Sequence, residues 1–126
     1  MLFKPDLLPD GVTVALGHVY EDCWISPNLQ LRAIPVATPR TLELNFWNPD
    51  CFIDMASNSI LVRLKDQTSR IENIKLNQFV TISISIHEPL LPDELIDIHV
   101  SNYLHFSAHD HRERALKLVR CEWTDV

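Results

Sequence analysis

Apolar and polar residues alternate along most of this chain. The clearest case is residues 79–86, where valine or isoleucine occupies every even position and threonine or serine occupies positions 81, 83 and 85. Because successive side chains of an extended strand point to opposite faces, this pattern predicts a strand with one buried face. Residues 40–47 and 29–34 repeat the alternation, and residues 96–100 contain a shorter version of it. The chain is therefore predicted to be rich in β-strands.

Two further segments need a more specific interpretation. Residues 60–65 and 69–76 flank the polar tripeptide 66–68, which predicts a β-hairpin without glycine. In residues 113–123 the apolar side chains change parity after Leu118, so a strand there requires a bulge or two buried faces. A helix is the alternative for this last segment. We favour the strand, because no other part of the chain has a long helical period.

Turn-forming residues, mainly proline, asparagine and aspartate, separate the alternating segments at intervals of roughly 8 to 14 residues. Short strands with this spacing predict an all-β fold, namely an antiparallel two-sheet β-sandwich of jelly-roll type with eight or nine strands. No internal repeat or change of composition divides the chain. Residues 1–126 are therefore predicted to form a single β-sandwich domain, with residues 1–10, which contain Pro5 and Pro9, as a candidate N-terminal arm.

The composition excludes several kinds of partner. Gly11 and Gly17 are the only glycines in 126 residues, whereas a phosphate-binding loop or a dinucleotide fingerprint needs several at one strand-to-helix turn. Eleven lysines and arginines against 17 acidic residues leave a formal net charge of −6, and the basic residues are scattered. That charge would repel a nucleic acid, so we expect no nucleic-acid partner.

The cysteines and the apolar runs predict the compartment. Cys23, Cys51 and Cys121 form no C-x-x-C pair, and we expect buried free thiols in a reducing environment. No run approaches the roughly 18 apolar residues of a membrane-spanning helix. The first six residues include a proline and an acid where a secretory signal would be apolar. The sequence therefore predicts a cytoplasmic protein without a membrane span.

Histidines are the first candidates for chemistry, because five of the six lie between positions 87 and 111. On a strand, His109 and His111 would face the same side, and together with His105 they suggest a cupin-type metal site. The alternative interpretation is a solvated polar loop, which we favour because the region contains no glycine. We therefore expect neither a metal nor a cofactor, and a metal-dependent cupin-like enzyme stays as an alternative hypothesis.

Other catalytic patterns do not occur in the sequence. There is no Gly-x-Ser-x-Gly motif around a nucleophile. Adjacent carboxylates such as Asp93 and Glu94 would either face opposite sides of a strand or lie exposed in a loop, and neither arrangement tunes a carboxyl group for acid–base work. The sequence thus favours a binding module over an enzyme with a complete active site.

Aromatic residues are the second candidates, because flat apolar rings stack on sugar rings. Trp47 stands at the end of a predicted strand, directly before the polar residues Asn48 and Asp50. We predict that these three residues and Tyr103 contact a glycan. Trp24 and Trp123 are interpreted as core residues.

Several segments together resemble a known family. They are residues 22–31 (DCWISPNLQL), 40–44 (RTLEL), 96–100 (IDIHV), 106–107 (FS), Asp110, Arg112 and 115–116 (AL). The chain resembles the small β-sandwich accessory modules found within or beside bacterial glycosyltransferases of cell-surface polysaccharide synthesis. Those modules show an Asp-Gly-Trp-x-x-Pro opening and a late Asp-x-Arg-x-Leu-Gly motif, whereas this chain has Cys23 and Lys117 in place of the two glycines.

The resemblance implies a non-catalytic domain that binds glycan or docks a glycosyltransferase domain, in which Asp110 and Arg112 hold a loop through a charge-assisted hydrogen bond. The expected function is accordingly a carbohydrate-associated accessory or interaction module. A self-assembling structural domain, and hence a homo-oligomer, is the third hypothesis, because the edge strands of sandwiches often pair.

Overall fold

The structure is a computed structural model that describes residues 7–35, 37–49, 57–103 and 113–124. These described residues form nine β-strands and no helix, which confirms the all-β prediction. The strands are β1 (Val12–Leu16), β2 (Trp24–Ile25), β3 (Asn28–Ala33), β4 (Arg40–Trp47), β5 (Ser57–Leu64), β6 (Gln67–Lys75), β7 (Phe79–Ile86), β8 (Ile96–Val100) and β9 (Leu116–Thr124). A membrane-spanning helix is likewise not found in the described part of the chain.

The nine strands form two antiparallel sheets. The five-stranded sheet has the order β1-β3-β8-β5-β6, and the four-stranded sheet has the order β2-β9-β4-β7. Successive strands mostly alternate between the two sheets, so that β4 pairs with β9 and β3 pairs with β8. This interleaving of distant strands is the double Greek-key arrangement of a jelly roll, with β1 added beside β3, and it confirms the predicted two-sheet sandwich.

The core lies between the sheets and follows from the alternation. In the β4–β7 pair, Leu42 lies opposite Ile84 and Leu44 lies opposite Ile82, and all four side chains are buried. The intervening residues of both strands point outward. Inward residues of β3, β5, β8 and β9 complete a single buried cluster. Leu7 and Leu8 also pack against it, and the indole Nε1 of Trp123 donates to the carbonyl oxygen of Asp10 at 2.8 Å, so residues 7–10 are held against the sandwich.

A bulge explains the parity change in β9. Leu118 pairs with Phe46 but Arg120 pairs with Asn45, so Val119 is the extra residue of a bulge. The bulge lets Cys121 point inward like Leu118, although the two positions have opposite parity. The predicted strand is confirmed here, and the helical alternative is wrong.

The turns differ in part from the prediction. The β5–β6 hairpin turns through Lys65 and Asp66 alone, since Leu64 already pairs with Gln67, so the predicted connection over 66–68 begins one residue too late and is one residue too long. Lys65 has φ +53° there, so a lysine adopts the left-handed turn conformation, whereas the sequence predicts turns built mainly from proline, asparagine and aspartate. Asn77 meets that expectation with φ +64° in the turn between β6 and β7.

Candidate functional site

The outer face of the four-stranded sheet carries a row of aromatic residues that includes the predicted Trp47. The row crosses all four strands, because Lys117 lies opposite both Trp24 and Trp47, and Trp47 lies opposite Phe79. The Lys117 Nζ is 5.4 Å from the ring centroid of Trp24 and 5.8 Å from that of Trp47. The rings of Trp47 and Phe79 are nearly parallel, with centroids 5.5 Å apart.

This row covers both faces of the Trp47 ring. Lys117 and Phe79 belong to the strands on either side of β4, so they cover the ring from opposite directions. Trp47 is consequently half-buried, and its buried indole Nε1 has no hydrogen-bond partner among the described residues. The open aromatic surface of the row is that of Phe79, which is 60% exposed on the edge strand. Sequence reasoning missed Phe79 because it treated residues 79–86 only as a strand.

Asn48, the second predicted site residue, is 1% exposed. Its side-chain Nδ2 donates to the carbonyl oxygen of Ile74 at 3.0 Å. Its backbone N–H donates to the carbonyl of Gln78 at 3.1 Å, and its carbonyl accepts from the N–H of Asn77 at 2.6 Å. The residue therefore anchors the turn between β6 and β7.

Tyr103, the third predicted residue, is exposed just after β8. The buried Asn58 fixes the chain before it, since its Oδ1 accepts from the Asn102 N–H at 3.0 Å and its Nδ2 donates to the carbonyl oxygen of Asn102 at 3.1 Å. The same Nδ2 lies 3.3 Å from the carbonyl of Ala115, just before β9. Because Lys117, near the start of β9, lies opposite Trp47, Tyr103 and Trp47 are at the same end of the sandwich.

The remaining predicted residues lie outside the described part of the chain. They are Asp50, Asp110 and Arg112, together with the histidine cluster His105, His109 and His111. The predictions made for them stay predictions. Within the described ranges, no group of three or more histidine, cysteine or acidic side chains is placed to hold a metal ion.

The outer face of the five-stranded sheet contains a polar groove that the sequence did not reveal. It has a volume of about 440 Å³ and crosses β1, β3, β8 and β5. Its polar lining residues are Asn28, Gln30, Arg63, Asp97 and His99, and Leu16 and Leu61 supply apolar surface. Except for Leu16, these residues point outward from strands in which inward and outward side chains alternate. Their inward neighbours form the core.

Two hydrogen bonds between strands order the groove. Gln30 Nε2 donates to Asp97 Oδ1 at 2.6 Å. The Nδ1 of His99 lies 2.7 Å from Asn28 Oδ1. An amide oxygen can only accept, so Nδ1 is the donor in this contact. The bond holds the orientation of the His99 ring from the neighbouring strand.

The lining of the groove continues onto β5. Arg63 lies opposite Asp97, and Leu61 lies opposite His99, in the pairing of β5 with β8. A second recess of about 280 Å³ adjoins the groove, since His99 and Leu61 line both. It adds Ser59, Ser101, Arg70 and Glu72. The polar surface thus extends across the sheet as far as β6.

The groove is suited to binding a polar ligand. Its volume lies within the roughly 300–1,000 Å³ of typical small-molecule sites. Planar polar groups such as amides, carboxylates, imidazole and guanidinium can each donate to or accept from neutral hydroxyl groups, and leucine side chains can contact a weakly polar ring face. The alternation in residues 96–100 predicts that the side chains of Asp97 and His99 point outward. Their meeting with Asn28, Gln30 and Arg63 depends on the strand order.

Comparisons with protein-family models, with curated proteins and with solved structures found no match to this chain.

Proposed function

We propose that this protein is a non-catalytic carbohydrate-binding accessory module, and that the groove on its five-stranded sheet is the glycan site. The observation that carries the proposal is the set of ordered polar side chains in the groove, with Gln30 bonded to Asp97 and His99 bonded to Asn28 across neighbouring strands. Side chains that are already held in place lose less conformational freedom when a flexible sugar binds.

The proposed glycan contacts differ in part from those predicted from the sequence. Trp47 is stacked against Phe79 and Lys117, and Asn48 is buried in a turn, so in this proposal both are structural. Tyr103 follows β8, the strand that carries Asp97 and His99. It remains a candidate contact for a longer glycan.

The family resemblance supports a connection with bacterial glycosyltransferases of surface-polysaccharide synthesis. Cys23 has φ +75°, a conformation that favours glycine, and glycine is what the family shows at this position. The proposed partners are therefore a glycan or a glycosyltransferase domain. Cys23 and Cys121 are free thiols, which suits the proposed cytoplasmic location.

The test is a titration of the purified protein with neutral and acidic oligosaccharides of three to six sugar units, followed by calorimetry and by NMR shifts of the backbone amides. We expect the shifts to concentrate on β3, β8 and β5. Asp97→Ala and His99→Ala should each weaken binding by roughly tenfold, the effect of losing one or two hydrogen bonds.

Glu43→Ala is the matched control, because Glu43 is an outward carboxylate in the middle of the other sheet. It should leave the affinity unchanged. Binding that survives both groove variants but is lost in Phe79→Ala would move the glycan site to the aromatic row. Failure of the whole panel to bind would refute the carbohydrate proposal and leave docking to a transferase domain as the function to test.

A further inference from the structure

Strand β7 is an edge strand, and its hydrogen bonds show which backbone groups face away from the sheet. The N–H of Asn48 donates to the carbonyl of Gln78, so even-numbered positions at this end bond toward β4. At the other end, the N–H and the carbonyl of Ser85 both bond to the side-chain amide of Gln67, which lies outside the four-stranded sheet. The backbone N–H and C=O groups of the odd-numbered residues of β7 therefore point away from β4, at the edge of the sheet.

The outward backbone groups between these two ends are those of Phe79, Thr81 and Ser83. Among the described residues, β7 pairs with β4 alone. Gln67 caps the strand at Ser85, and Asn48 holds the turn that precedes Phe79. Within the described ranges, the N–H and C=O groups of Thr81 and Ser83 thus form a short open stretch of sheet edge.

This edge lacks the features that normally prevent pairing. Exposed edges are protected by charged side chains, prolines or bulges. The strand β6 carries Arg70 and Glu72, and β1 is interrupted by a bulge between Val14 and Leu16. In contrast, β7 has the sequence FVTISISI, with no charge, no proline and no bulge against β4.

We propose that β7 is the interface through which a second copy of this chain binds. In an antiparallel arrangement about a two-fold axis at Ile82, Thr81 lies opposite Ser83 of the partner subunit. The two positions then exchange N–H···O=C bonds in both directions, which gives four main-chain hydrogen bonds across the interface. Phe79 lies opposite Ser85 of the partner subunit, so its exposed ring gains a neighbour.

Charge is the reason for assigning this edge to a second copy. The protein has a net charge of −6, so most faces of two copies would repel each other. The side chains of β7 that face solvent are hydroxyl groups and the Phe79 ring, so the two-fold pairing places no like charges opposite one another. The proposal is independent of whether the groove binds a glycan.

The test compares Ser83→Pro with Ser83→Ala by sedimentation at several concentrations. Proline removes the outward N–H of Ser83 but no bond to β4, and edge positions whose N–H points away tolerate proline. Alanine keeps that N–H. We expect wild type and Ser83→Ala to dimerise, and Ser83→Pro to dissociate with a constant at least about tenfold higher, because two equivalent hydrogen bonds are lost.

Hydrogen exchange of the wild-type protein provides a test that needs no variant. The amides of Thr81 and Ser83 should exchange at least about tenfold more slowly in concentrated than in dilute solution, while those of Ile82 and Ile84 stay protected in both. A wild-type protein that is monomeric at all concentrations, or a dimer in which the Thr81 and Ser83 amides exchange rapidly, overturns the proposal. So does a dimer that a folded Ser83→Pro variant leaves intact.

Discussion

Replacing Asn48 by alanine tests the role that the structure gives this residue. Asn48 looked from the sequence like a glycan contact beside Trp47, but its side chain is buried and bonds to the Ile74 carbonyl oxygen at 3.0 Å. The substitution removes that bond and leaves a buried carbonyl with one partner fewer. We therefore expect a loss of stability and no direct loss of ligand contact.

The expected loss of stability is about 1–3 kcal/mol, the cost of removing a buried hydrogen bond whose acceptor stays in place. For a domain of this size each kcal/mol lowers Tm by roughly 3–5 °C, so a loss of about 2 kcal/mol corresponds to a decrease of about 6–10 °C. Asn48→Asp should be less stable still at neutral pH, because a buried carboxylate would replace the amide donor. Since burial would raise the pKa of that carboxyl, the extra penalty should diminish as the pH falls and the group becomes protonated.

The assay is urea unfolding monitored by circular dichroism and tryptophan fluorescence, with Asn45→Ala as the matched control. Asn45 lies three residues earlier, on β4, and among the described residues its side chain bonds to the hydroxyl of Thr81 near the surface, so its removal should cost no more than about 0.5 kcal/mol. If Asn48→Ala were as stable as Asn45→Ala, the anchoring role would be refuted. Unchanged stability with lost glycan binding would restore the interpretation based on the sequence.

Three further predictions concern backbone conformation and thiol chemistry. Gly17→Ala should destabilise the protein by at least about 2 kcal/mol in urea unfolding, because Gly17 has φ +86° and an added Cβ would collide with the Asn28 carbonyl oxygen; a loss below about 0.5 kcal/mol would contradict this. Cys23→Gly should be more stable than Cys23→Ala by up to about 1 kcal/mol, since the position has φ +75°, and equal stabilities would count against strain there. Burial, followed by the charge of Glu122, raises the pKa of Cys121 to about 12, so peptide mapping should find this thiol alkylated at pH 8 only after unfolding. The pKa of this thiol is higher in the folded than in the unfolded protein, so folding favours the neutral thiol. Its contribution to the free energy of unfolding is therefore fully present below about pH 9 and is lost as the pH rises toward 12. Rapid labelling of the native protein would contradict the burial of Cys121.

Most of the fold could be predicted because burial of one strand face leaves a local signal. The alternation in residues 40–47 and 79–86 predicts strands that the structure reproduces as β4 and β7. Even the bulge at Val119 follows from a local feature, the change of parity in the apolar residues. The hairpin turn at Lys65 was placed one residue late, because without glycine several polar residues compete for the turn position.

The candidate site was much less predictable. Trp47 looked exposed because it ends a strand before polar residues, yet Lys117, 70 positions further along the chain, and Phe79 cover its ring. Aromatic stacking of this kind depends on strand register, which a single strand does not encode. The groove is a similar case, since Asn28 and His99 are far apart in sequence and meet only because β3 and β8 are neighbours.

The sequence by itself determined that this protein is built from short amphipathic strands in two sheets and that it lacks a glycine-rich phosphate loop. These properties are local, because alternation and turn chemistry act over a few residues. The order of the strands, the polar groove and the open edge of β7 were decided only by the tertiary structure. Strand order is set by the packing of the whole core, where Leu44, Phe46 and Leu118 contribute apolar burial that does not specify their partners.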